Sequence, residues 1–133
     1  MDHVGVAVKS LDEAIITYSR ALGLTLKNIG VNPDDKVKIA FLEAGAASIE
    51  LLESTSPDGV VARFIERRGE GIHHICFRVE SLENAMRMMM AWGVQLIDEK
   101  PRTSASGTRM AFVHPKSTHG VLIELVEETR TTP

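Results

Sequence analysis

The segments "HVGVAVKSLDEA" (residues 3–14) and "HICFRVESLENA" (residues 74–85) decide how this chain is read. Laid over one another at an offset of 71, they agree at His, Val, Ser, Leu and Ala. The agreement continues downstream. "ALGLTL" (21–26) matches "AWGVQL" (91–96) at an offset of 70, and "AFL" (40–42) matches "AFV" (111–113) at 71. "IELLE" (49–53) matches "IELVE" (123–127) at 74. The drift corresponds to one deletion in a helix and a three-residue insertion in a loop. The chain is an internal duplication of a unit of roughly 65 residues, and such self-similarity outranks other sequence signals.

Each copy has the same layout. In the first, residues 3–8 have strand character, and Ser10 is a plausible N-cap for a helix over about 11–22. Leu11, Ala14, Ile15, Tyr18 and Leu22 form its apolar stripe, and Gly23 is its stop. Strands are expected near 24–29, 36–43 and 47–53. In the second copy Ser81 caps, Leu82, Ala85, Met86, Met89 and Met90 form the stripe, and Gly93 stops. Strands are expected there near 94–99, 107–113 and 120–127. Between the copies, residues 56–70 read as a turn and a short helix with Val60, Val61, Phe64 and Ile65 on its apolar face. The expected fold is α+β, one domain over 1–133 made of two tandem βαβββ modules. Module one spans about 1–55, the linker helix about 56–70 and module two about 71–128. Half a domain of this size struggles to build a core alone, so the modules are expected to associate.

The rest of the composition excludes more than it selects. Apolar residues make up 44% of the 133-residue chain and charged residues 25%, an ordinary globular balance. A net charge of −3 gives no reason to expect nucleic acid or an anionic membrane. No apolar stretch approaches the ~20 residues of a membrane span. The first strand starts at Asp2 or His3, so no leader segment is expected, and a single cysteine, Cys76, points to a reducing cytosol.

Four ionisable residues fall at equivalent places in the duplication: His3 with His74, and Glu50 with Glu124. Each pair supplies one residue near the start of a module's first strand and one in its last strand. If a pseudo-twofold axis relates the modules, all four side chains converge near it, with the sheets curled around a shared site. Two imidazoles and two carboxylates suit a borderline divalent ion such as Co²⁺, Zn²⁺, Ni²⁺ or Mn²⁺. Within "GEGIHHICFRV" (69–79), His74 is the one in register with His3. His73 has the opposite strand parity and is expected to be structural.

These features together resemble the vicinal oxygen chelate superfamily. "HVGVAVKSLDEAIITYSRALGL", "IELLEST", "GEGIHHICFRV" and "FVHPKSTHGVLIELVE" are similar to its methylmalonyl-CoA epimerase family, from His3 to about Glu127. The resemblance implies a divalent-metal isomerase that inverts C2 of methylmalonyl-CoA through a stabilised enolate, with His3, Glu50, His74 and Glu124 as ligands. Some epimerases carry Gln where this chain has Glu50, and a Glu taken as a catalytic base where it has Ile39. Proton transfer would then fall to Glu50 and Glu124. The alternatives are another lyase or isomerase of the superfamily, such as a lactoylglutathione lyase, or a metal-free binding protein of the bleomycin-sequestering kind. Retention of all four ligand positions argues against the latter. A dioxygenase is less expected, since its iron site usually uses three protein ligands.

The expected partner is a small acyl-CoA, with no nucleic acid and no membrane, and the expected assembly is a homodimer. From Lys100 to His119 there is no acidic residue, which makes this stretch a local basic region in an acidic chain. Arg102, Ser104, Arg109 and Lys116 are its candidate substrate-binding residues. The small-residue loop "TSASGT" (103–108) is a candidate for closing over a substrate or a long hairpin turn.

Overall fold

The structure is a computed structural model that describes residues 1–104 and 107–128. It is α+β, and its strands and helices fall into two compact units, His3–His73 and the chain from His74 onward with Met1–Asp2.

In the first unit the strands β1 (His3–Ala7), β2 (Thr25–Asn32), β3 (Val37–Ala44) and β4 (Ala47–Ser54) lie in the order β2-β3-β4-β1. The β2/β3 and β3/β4 pairs are antiparallel hairpins, while β1 joins β4 in parallel. Helix α1 (Leu11–Ile15) starts at Ser10, whose hydroxyl accepts the Glu13 amide at 3.2 Å as expected of an N-cap. One sheet face packs on this helix through Val8, Leu11, Ala40, Leu42 and Leu51. The other is partly covered by helix α2 (Val60–Arg68), where Val61, Phe64 and Ile65 meet Ala7, Val37, Ile39 and Leu52. Alternation along each strand sorts the apolar residues between these two layers.

The second unit repeats this order. The His74–Val79 part of β5 (Gly71–Val79) is followed by α3 (Leu82–Ala91), β6 (Arg102–Thr103), β7 (Arg109–Val113) and β8 (Ile123–Glu127). The order is β5-β8-β7-β6, again with a parallel β5/β8 pair. Ser81 caps α3 by accepting the Asn84 amide at 3.2 Å, and Leu82 and Met86 pack on Ala111, Val113 and Leu125. Gly23 and Gly93 follow the two helices with φ of 78° and 79°, a conformation that glycine adopts without strain.

Two elements depart from expectation. The first helix does not stay α to Leu22: it becomes a π-helix over Ile16–Ala21, and the Leu22 amide bonds to the Thr17 carbonyl at 3.0 Å. The repeat supplies the reason. Ala14 aligns with Ala85 at 71 but Ala21 aligns with Ala91 at 70, so this helix holds one residue more than its copy. A π-turn absorbs one extra residue without rotating the flanking apolar stripe off the sheet.

The strand expected near 94–99 is likewise absent, and only an isolated bridge joins Leu96 to Val113. Ile97 still donates to the Phe112 carbonyl at 2.9 Å, but the Phe112 amide turns to the Asp98 carboxylate at 2.8 Å. Pro101 then has no amide to offer, and the ladder resumes for only two residues, Arg102–Thr103. The loop 103–108 lies partly outside the described residues, at 105 and 106. Among the described residues no helix is long and apolar enough to cross a membrane.

Candidate active site

Parallel pairing of β1 with β4 sets Gly5 directly across from Glu50, and His3 two residues away on the same strand face. Gly5 offers no side chain, and the Glu50 carboxylate reaches His3 Nδ1 at 3.0 Å. On its other side Glu50 faces Phe41 of β3. His3 is buried at 6% exposure, whereas the Glu50 side chain is partly buried at 14%.

The second unit builds the same arrangement. Cys76 lies across from Glu124 in the parallel pair, Phe112 faces Glu124 from β7, and His74 Nε2 lies 3.2 Å from Glu124 Oε1. Both His74 and Glu124 are buried, and the Phe112 ring stands edge-on to the imidazole at 6.3 Å between centroids. Each expected histidine is therefore paired with the carboxylate expected from its own module. Burying an imidazole and a carboxylate is costly unless each has a partner, and the pairing provides one. As donors, the imidazole and carboxylate of each pair are also a mixed N/O type that suits a borderline divalent cation. His73 does something else: its ring packs edge-to-face on Phe64 of α2 at 4.9 Å, the structural contact its parity implied.

The carboxylates at the ends of the two "IEL" motifs have a separate task. Glu53 accepts the Leu11 amide at 2.9 Å, and Glu127 accepts the Leu82 amide at 3.0 Å. Each takes up an orphan donor at a helix N-terminus, where negative charge is favoured. Sequence reasoning assigned Glu53 and Glu127 no role, although their spacing of three from Glu50 and Glu124 along a strand already sends them to the opposite face.

The basic stretch is divided by the same alternation. Arg109 lies on the face of Ala111 and Val113 toward α3, where it binds Glu127 at 2.9 Å and Glu83 of the first helical turn. Its guanidinium holds the Glu83 carboxyl below the usual carboxylate range, and the two carboxylates raise Arg109 in return. Arg102 falls on the opposite face, in register with Met110 and beside Phe112 and Glu124. Its Nε binds Asp98 at 2.8 Å and its guanidinium carbon sits 5.6 Å over the Phe112 ring. Ser104 closes a turn, its amide on the Thr108 carbonyl and its hydroxyl accepting the Thr108 amide. Lys116 lies exposed on a 3₁₀ turn over Pro115–Thr118. Asp98, Phe41 and Phe112 were not singled out from sequence, though "AFL" and "AFV" place a Phe identically in both copies.

Comparison with known proteins agrees with this architecture. Residues 2–112 match the family model described as the Glyoxalase/Bleomycin resistance protein/Dioxygenase superfamily. The uncharacterized Bacillus subtilis protein YqjC is 39% identical over 127 residues, 96% of this chain and 91% of that protein. The ethylmalonyl-CoA/methylmalonyl-CoA epimerase of Cereibacter sphaeroides is 32% identical, covering 94% of this chain and 95% of the enzyme. The crystal structure of methylmalonyl-CoA epimerase from Mycobacterium tuberculosis superposes with a TM-score of 0.88 at 39% identity, over 97% of this chain and 87% of that one. With duplicated βαβββ units, matched His and Glu positions and relatives over 94% or more of its length, the chain belongs to the glyoxalase/bleomycin resistance protein/dioxygenase superfamily, and its relatives there include methylmalonyl-CoA epimerases.

Proposed function

We propose that this protein is a divalent-metal-dependent epimerase acting at C2 of methylmalonyl-CoA. The observation that carries the reading is the duplicated His–Glu pair, His3 with Glu50 and His74 with Glu124. In this reading the four side chains together hold one ion, Co²⁺, Zn²⁺, Ni²⁺ or Mn²⁺. Bound there, the ion supplies positive charge to substrate oxygens that become more negative as the C2 proton leaves.

Proton transfer is assigned to Glu50 and Glu124. Ile39 has no group to accept a proton and packs into the apolar cluster of Ala7, Val37 and Leu52. Glu50 and Glu124 come from different copies of the unit, as removal of a proton from one face of a carbon and return on the other requires. A positioned acid–base group contributes about 10²–10⁴-fold in rate. Lys116 and its basic neighbours supply positive charge for the phosphates of the CoA moiety. A homodimer and a cytosolic location complete the reading, the latter because Cys76 has no second cysteine with which to form a disulfide.

The test is incubation of the metal-loaded protein with one epimer of methylmalonyl-CoA in deuterium oxide. Interconversion of epimers with deuterium entering C2 is the expected result. Inertness toward this substrate, with conversion of the glutathione hemithioacetal run in parallel, would replace the epimerase by a lactoylglutathione lyase.

A further inference from the structure

Asp98 joins Arg102 to the backbone of Phe112. One carboxylate oxygen accepts the Phe112 amide at 2.8 Å and the other binds Arg102 Nε at 2.8 Å. The Asp98 side chain is 13% exposed, while Arg102 is 53% exposed. The guanidinium lies over Phe112, and the same ring makes a T-shaped contact with His74. One aromatic ring thus contacts both the guanidinium and an imidazole of the proposed ligand set, on the sheet face that also carries Glu124. The 2.8 Å contact with Asp98 is made through Nε, and the two terminal nitrogens donate no hydrogen bond among the described residues. A planar guanidinium fixed by its Nε and by an aromatic face presents those remaining donors as a fork suited to a carboxylate or phosphate.

The first copy has no such device. At the offset of 70 that aligns Leu26 with Leu96, Asp98 corresponds to Asn28 and Arg102 to Asn32. The ion pair therefore departs from the duplication that copies the His–Glu and Phe positions, and it occurs in the second copy alone. A methylmalonyl thioester is itself unsymmetrical, with an anionic end and a thioester end, and recognising it requires such a difference. Arg109, by contrast, is on the other face with its charge matched by Glu83 and Glu127.

We propose that Arg102 recognises an anionic oxygen group of the acyl-CoA and that Asp98 is the positioning residue that aims it. The proposal rests on the epimerase reading for its ligand. The anion is either the substrate carboxylate or a CoA phosphate, and these have the same chemistry at a guanidinium. Three ligands separate them: methylmalonyl-CoA, propionyl-CoA, which lacks the carboxylate, and methylmalonyl-pantetheine, which lacks the CoA phosphates.

Calorimetric titration of each into the full chain and into Arg102→Ala gives the test. Loss of a charge-assisted hydrogen-bonding group weakens methylmalonyl-CoA binding by roughly tenfold or more. The loss should persist with whichever truncated ligand retains the recognised anion and vanish with the other. Arg102→Lys, which keeps the charge without the fork, falls between wild type and alanine. Asp98→Asn keeps an acceptor for the Phe112 amide but not the ion pair, and shows part of the Arg102→Ala loss at unchanged thermal stability. Equal affinities of wild type and Arg102→Ala for all three ligands overturn the assignment, as does a wild-type chain that binds none of them. An Asp98→Asn variant with wild-type affinity removes Asp98 from it. Arg102-dependent binding without turnover leaves this assignment standing and defeats the epimerase reading instead.

Discussion

The carboxylate of Glu53 accepts the amide of Leu11 at 2.9 Å, tying the end of β4 to the start of α1 across 42 residues of chain. Glu127 repeats the bond at Leu82. The duplication has thus copied a helix cap along with the His–Glu positions. Removing a cap typically costs about 1 kcal/mol. Glu53→Ala should lower the melting temperature by about 4 °C, the usual effect of such a loss in a domain of this size. Glu127→Ala should cost more, because it also takes a partner from Arg109. Thermal unfolding checks both, and metal content should be unchanged in each.

The two adjacent histidines separate by partner. His74 pairs with Glu124, whereas His73 packs on Phe64. His74→Ala should greatly reduce metal occupancy measured by elemental analysis, while His73→Gln should retain it. Loss of metal from a folded His73→Gln variant would assign the site to the wrong histidine.

Glu50→Gln separates ligation from proton transfer. The amide oxygen can still face a cation but cannot take a proton. The variant should keep its metal and lose at least ~10²-fold in kcat, as expected on removing an acid–base group. Adding Ile39→Glu to it should recover part of the activity, at some cost in stability because Ile39 packs against Val37, Leu52 and the apolar face of α2. Near-normal turnover of Glu50→Gln alone would leave Glu50 as a ligand only.

Asp58 sets an acid-side dependence of stability. Hydrogen bonds from Lys36 and then Ser56 hold its carboxyl down to about 2. In this window the unfolded chain binds a proton that the folded one does not. Its contribution is therefore complete above the ordinary carboxylate value near 4 and is lost as pH falls toward 2. The stability difference between wild type and Asp58→Asn, followed by urea unfolding, should be constant near neutrality and shrink between about pH 4 and 2. A difference that stays constant across that range would remove Asp58 from the acid response.

Most of the fold was legible because a duplication compares the chain with itself. Ser10 and Ser81, or Gly23 and Gly93, are individually weak signals, but each pair marks the same boundary twice. The expected strand at 94–99 failed for a reason that local pattern does not contain. Its apolar content is adequate, yet the carboxylate of Asp98 occupies an amide on β7 that a ladder would have used. The basic stretch depends on register in the same way. Charge counting makes Arg102 and Arg109 alike, but their registers on β6 and β7 send them to opposite faces.

By itself, then, the sequence determined the repeat, the secondary structure of most elements and the four residues proposed as ligands. Periodicity, caps and matched positions are local properties that a linear chain displays. Even the change in offset from 71 to 70 recorded the extra residue of the first helix. Only the tertiary structure decided that this residue is absorbed as a π-turn, that Glu53 and Glu127 cap helices and that Glu50 and Glu124 face histidines. It also set Arg102 over Phe112 and Arg109 against α3. The physical reason is that a charged side chain's role is fixed by the partner that neutralises it, and strand pairing chooses that partner from residues tens of positions away.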